Sequence, residues 1–176
     1  MWENKVKYKT KYFGQLYVNE EDDEIIFEAE INYIKNNKSC KKYITIILAN
    51  LYENKIKPYI NILNKYSKLH TIGKKELIKR YKQKENMLLF IKDYHDKLSK
   101  DDKIKIFGSN DFENININKF IESIDPPHIT IIKKDKKMVI SLGYSIINGN
   151  EITMGIEFNN KLKVIDAKYY FGGNIK

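Results

Sequence analysis

The sequence predicts an α+β protein: a mainly antiparallel β-sheet, built from an N-terminal and a C-terminal meander, packed on two central helices. Three observations carry this. Apolar and polar residues alternate with period two through residues 5–49 and again through 129–170. Between these blocks the apolar spacing becomes helical. No linker rich in Pro, Gly or Ser divides the 176 residues, so the chain reads as one α+β domain, 1–176.

Lys5–Val18 opens with Val6, Tyr8, Thr10 and Tyr12 on one side and Lys7, Lys9 and Lys11 on the other. This is a strand with one wet face, interrupted at Gly14 by a bulge or bend. After the acidic turn Asn19–Glu24, the residues Ile25, Phe27, Ala29, Ile31 and Tyr33 alternate with Ile26, Glu28, Glu30 and Asn32. Lys42–Ala49 forms a third strand, with Ile44, Ile46 and Leu48 on one face and Tyr43, Thr45 and Ile47 on the other. The first fifty residues thus read as a three-stranded meander.

Leu51, Ile56, Ile60 and Leu63 follow helical spacing, and Pro58 suits the first turn of a helix over Lys57–Lys68. His70-Thr71-Ile72-Gly73 reads as a break. Leu77, Tyr81, Leu88, Ile91 and Leu98 then predict one long amphipathic helix, Lys74–Ser99. Ile104–Phe107 reads as a short strand. Asn118 is expected to cap a short helix, Lys119–Ile124, which Asp125-Pro126-Pro127 ends. Four strands follow: from Ile129, from Met138, from Ile152 and over Leu162–Tyr170, separated by turns of Lys, Asn, Gly and Asp. Asn159-Asn160 is expected to turn the last pair, because Asn tolerates positive φ.

The net charge is +9. The excess falls in residues 51–100, where 13 Lys and Arg stand against 5 Asp and Glu. A basic face of this kind suits nucleic acid, an anionic membrane or an acidic protein. Yet Arg80 is the only arginine among 32 basic residues, and phosphate and base recognition favour the arginine fork. Lys, Ile and Asn all have AT-rich codons, so a solvated lysine face set by genome composition is the favoured reading.

No stretch approaches the ~20 apolar residues that span a bilayer, and Met1–Lys5 lacks an apolar signal core, so the expected localisation is cytoplasmic and no membrane partner is expected. The single Cys40 excludes an internal disulfide and a multi-cysteine metal site. His70, His95 and His128 show no metal-ligand spacing. Glu20–Glu24 clusters carboxylates but lacks the glycine and ligand spacing of a calcium loop. No phosphate-binding loop, dinucleotide fingerprint or nucleophile elbow occurs. Expected, then, are no catalytic residues, no metal and no cofactor. A hydrolase would need a histidine to meet a carboxylate in a pocket.

Several short stretches carry a resemblance. They are Lys11-Tyr12-Phe13-Gly14-Gln15-Leu16, Phe27-Glu28-Ala29-Glu30-Ile31, Pro127-His128-Ile129-Thr130-Ile131, Gly143-Tyr144-Ser145-Ile146 and Met154-Gly155-Ile156-Glu157-Phe158-Asn159. Their order resembles a family of small bacterial proteins, domain of unknown function two-thousand-and-four. Ile156 and Asn159 depart from it, where valine and an acidic residue are more typical. The resemblance implies an immunity-protein-like, cytoplasmic partner in a bacterial toxin–immunity locus, and brings no catalytic residues.

The functional expectation is a non-enzymatic binding protein that neutralises a cognate protein toxin. Its candidate partner-binding residues are Glu20, Glu21, Asp22, Asp23, Glu28 and Glu30 on the acidic hairpin. On the helical side they are Lys75, Lys79, Lys82 and Lys92. A nuclease toxin would meet the acidic strand, and an acidic toxin the lysines. The alternative is a nucleic-acid-binding module using the lysine-rich helix, residues 74–98, with Tyr81 and Tyr94 as a stacking platform if they are exposed.

Overall fold

The structure is a computed structural model that describes residues 5–19, 23–35, 38–51, 56–83, 87–134, 137–145 and 152–171. The fold is α+β. Strands β1 (Lys5–Lys9) and β2 (Gln15–Asn19) form a two-stranded hairpin. Strands β3 (Glu24–Lys35), β4 (Lys38–Ala49), β5 (His128–Lys134), β6 (Lys137–Ser145), β7 (Ile152–Asn159) and β8 (Val164–Phe171) form a six-stranded sheet in that order. All neighbours are antiparallel except β4 and β5, which pair in parallel from Ile46 opposite Ile129 to Ala49 opposite Ile132.

The crossover between β4 and β5 carries five helices: α1 (Lys57–Leu63), α2 (Tyr66–Lys82), α3 (Met87–Lys97), α4 (Lys100–Phe107) and α5 (Ile117–Ser123). The chain divides into two compact units. One comprises residues 1–71 with 126–176, and the other comprises residues 72–125.

The strand-rich unit holds both sheets, α1 and the start of α2. The first strand predicted from sequence does not join the meander. Gly14, at φ +68°, turns it back on itself, and the Thr10 hydroxyl clamps the turn by accepting the Phe13 N–H at 2.9 Å. The large sheet's buried face holds Ile44, Ile46, Leu48, Ile131, Ile140 and Phe158. Alternation places these residues on one side and the polar set on the other, as period two requires.

Helix α1 begins at Lys57 with Pro58 in its first turn, then ends at Leu63. The Tyr59 hydroxyl donates to the carbonyls of Ala49 and Asn50 at 2.9 and 3.0 Å, satisfying acceptors where β4 ends. Helix α2 continues through His70–Gly73, where the sequence predicts a break. A single buried glycine costs a helix only about 1 kcal/mol relative to alanine, and the flanking turns outweigh it.

The helical unit holds the rest of α2 with α3, α4 and α5. The expected single helix Lys74–Ser99 is in fact two, α2 ending at Lys82 and α3 spanning Met87–Lys97. Residues 104–107, expected as a strand, close α4 instead. Ser99 caps that helix, its hydroxyl oxygen accepting the Asp102 N–H at 3.2 Å, and Gly108 ends it in the left-handed region at φ +79°. The cap of α5 is Asn116 rather than Asn118: its Oδ1 accepts the N–H groups of Asn118 and Lys119. Phe107 and Phe120 stack at 4.8 Å, with Tyr94 beside both.

The last hairpin also turns differently. Positive φ falls on Leu162, at +59°, not on an asparagine. The Asn159 side chain shapes the loop by accepting the Lys161 and Lys163 N–H groups at 2.9 and 3.1 Å. A register shift between Glu157 and Phe158 accounts for the broken alternation at Val164.

Candidate protein-binding surface

The β3–β4 hairpin pairs without interruption over twelve residues on each strand. Ile25, Phe27, Ala29, Ile31 and Tyr33 turn toward the core side, so their alternates form an outer face. That face carries Glu24, Ile26, Glu28, Glu30, Asn32 and Ile34 on β3. Opposite them stand Ala49, Ile47, Thr45, Tyr43, Lys41 and Ser39 on β4. Three large apolar side chains stay exposed among the charges: Ile26 at 60%, Ile34 at 72% and Tyr43 at 62%.

Charge on this face is locally organised. The Lys41 ammonium donates to Glu30 Oε1 at 2.8 Å. That hydrogen bond holds the Glu30 carboxyl below its ordinary value, with a smaller contribution from the Tyr43 hydroxyl directly opposite. The same bond holds Lys41 above its ordinary value. Both groups are solvent-exposed, so the pair fixes geometry more than it adds stability.

At the β4–β5 junction, the Thr45 N–H lies one step before the parallel ladder begins. His128 Nδ1 accepts it at 2.7 Å. The neutral ring therefore carries its proton on Nε2. Burial lowers the His128 pKa, the Lys42 charge lowers it further, and Glu28 opposes both.

The candidate residues separate as follows. Glu28 and Glu30 share the outer face of β3. Asp23 sits at its start, where its carbonyl accepts the Leu51 N–H at 2.9 Å. Glu20, Glu21 and Asp22 lie outside the described residues. Lys75, Lys79 and Lys82 recur at four- and three-residue steps on α2, which places them on one exposed stripe. Lys79 Nζ lies 3.7 Å from Glu76 Oε1. Lys92 is on α3, a different helix. The carboxylates belong to the strand-rich unit and these lysines to the helical one.

The proposed stacking platform fails. Tyr94 is buried against Phe107 and Phe120, and only Tyr81 keeps partial exposure. Sequence reasoning missed Ile26, Ile34, Lys41 and Tyr43. The signal was available, since Ile26 and Ile34 share the parity of Glu28 and Glu30, and Tyr43 shares that of Thr45.

The histidines have different surroundings. His70 stacks between Tyr66 and Tyr144, at centroid distances of 6.4 and 5.7 Å. His95 is buried in the helical unit. Its Nδ1 lies 3.5 Å from Asp96 Oδ1, and neither ring nitrogen has a hydrogen-bond partner among the described residues. Among the described residues no group of three or more His, Cys, Asp or Glu could hold a metal ion, and no helix is long and apolar enough to cross a membrane. Comparison with known proteins finds no matching family model, no matching curated protein and no matching solved structure.

Proposed function

We propose that this chain is a non-enzymatic binding protein that docks a basic protein partner on the outer face of β3–β4, as an immunity protein docks its toxin. One observation carries the reading. Tyr43 stands exposed beside Glu28 and Glu30 on a long, regular hairpin, with Ile26 and Ile34 flanking it. Exposed aromatic and aliphatic side chains supply contact area, and tyrosine is enriched at binding hot spots. The carboxylates add steering toward a cationic surface and reject anionic ones. A nuclease toxin, whose substrate-facing side is basic, has the matching chemistry. The short stretches that resemble the two-thousand-and-four family support the same reading.

The test is co-expression with the product of the adjacent gene. A stable complex whose association slows with salt, together with rescue from that product's toxicity, is the expected result. No complex and no rescue would refute the reading.

A further inference from the structure

We infer that the edge of β3 turned away from β4 pairs antiparallel with the β3 edge of a second copy of this chain, across a two-fold axis at Glu30. Strand β3 ends the six-stranded sheet, and β4 is its only strand partner among the described residues. Edge strands present a row of backbone donors and acceptors, and proteins that must stay single blunt them with short length, proline, bulges, charged side chains or a covering segment. Residues 24–35 carry charges at Glu24, Glu28, Glu30 and Lys35 and none of the other devices within the strand. They include no Pro and no Gly, run for twelve residues and keep an unbroken register with β4. The opposite edge differs: β8 meets β7 through a register shift.

The faces select the orientation. A two-fold axis normal to the sheet pairs the two copies antiparallel and keeps their outer faces on one side, so that Ile26 and Ile34 can meet across it.

The side chains select the register. Directly opposite residues must share a face, so only alternate registers are allowed. Centred on Ala29, the pair would set Glu28 against Glu30 twice. Centred on Ile31, it would set Ile34 against Glu28. Centred on Glu30, it sets Ile26 opposite Ile34 of the second copy, and Ile34 opposite Ile26. These are the two exposed isoleucines of the strand. On the core side it sets the half-buried Phe27 opposite the half-buried Tyr33. The like-charge contacts are Glu30 with itself and, diagonally, with Glu28 of the second copy, and each Glu30 already holds Lys41 at 2.8 Å. The contact is isologous and closes as a dimer. Both outer faces then lie on the same side of one continuous sheet, giving two copies of the Tyr43 surface to a partner.

Sedimentation equilibrium of the full chain, without any partner, tests this. The expected result is a concentration-dependent dimer. Ile34→Lys acts twice through the symmetry and should weaken it by about tenfold or more with an unchanged circular dichroism spectrum. A register probe accompanies it. In a Cys40→Ser background, Glu30→Cys should cross-link to dimer with a short bifunctional maleimide, and Ile165→Cys on β8 should not. A monomer throughout the concentration series would overturn the proposal. So would a dimer indifferent to Ile34→Lys, or cross-linking at residue 165 rather than 30. Tyr43→Asp leaves the strand edge intact, so loss of partner binding and loss of the dimer are read separately.

Discussion

Glu30 and Tyr43 face each other across β3–β4 on the outer side of the sheet, and Tyr43 stays 62% exposed beside a carboxylate held by Lys41. An aromatic left open next to an ordered charge gives a partner both contact area and orientation. The rest of the strand-rich unit holds this hairpin in place, and four interactions in the fold can be tested alongside it.

Tyr66 ties the helical start to the sheet, its hydroxyl donating to the Pro127 carbonyl at 2.6 Å. Tyr66→Phe removes this buried hydrogen bond and should cost about 1 kcal/mol in denaturant unfolding. A loss within experimental error would mean that the bond does not hold the junction.

Alkaline pH should destabilise the same region. Burial raises the pKa of both Tyr66 and Tyr144 above the ordinary tyrosine value. The folded state therefore keeps protons that the unfolded chain releases. Stability should be intact below pH ~10 and fall as pH rises past it, with tyrosinate absorbance appearing only on unfolding. Tyrosinate signal from both residues before the unfolding transition would contradict this.

His128 should titrate below the ordinary imidazole value of ~6.5, because burial and Lys42 disfavour its charged form. Its pKa is lower folded than unfolded, so the unfolded chain takes up the proton first on acidification. Stability should be full above pH ~6.5 and decline below it. Nitrogen NMR should find the proton on Nε2 at neutral pH, since Nδ1 accepts the Thr45 N–H. A midpoint above ~6.5, or a proton on Nδ1, would reject the assignment.

His95 is 2% exposed, with Phe107 and Phe112 edge-on at 5.3 and 5.4 Å, Asp96 Oδ1 at 3.5 Å from Nδ1, and no hydrogen bond to either nitrogen among the described residues. Unpaired buried polar atoms cost stability. His95→Leu should raise the stability of the helical unit by about 1 kcal/mol. A comparable loss would show that the ring's packing outweighs its unmet polarity.

Much of this fold is legible in side-chain alternation. Ile25–Tyr33 and Ile44–Leu48 face inward as period two dictates, and Ile129, Ile140, Ile156 and Phe158 do the same. What was not legible came from local chemistry overriding pattern. The alternating Ile104 and Ile106 look like a strand, but Ser99 and Gly108 cap a helix around them. Gly14 turns β1 and β2 into their own hairpin, which alternation alone cannot reveal. Glu28 and Glu30 were legible as outward carboxylates. The contribution of Tyr43 depends on cross-strand register, and register is set by pairing that no single strand encodes.

The most direct test is affinity for the adjacent gene's product, comparing Tyr43→Asp with the triple substitution Lys75→Glu, Lys79→Glu, Lys82→Glu. Removing a central aromatic and inserting a charge typically costs 2 kcal/mol or more, roughly a thirtyfold loss. The predicted result is that loss for Tyr43→Asp and little change for the lysine variant. Full affinity in Tyr43→Asp, with binding abolished in the lysine variant, would contradict the account and move the interface to α2.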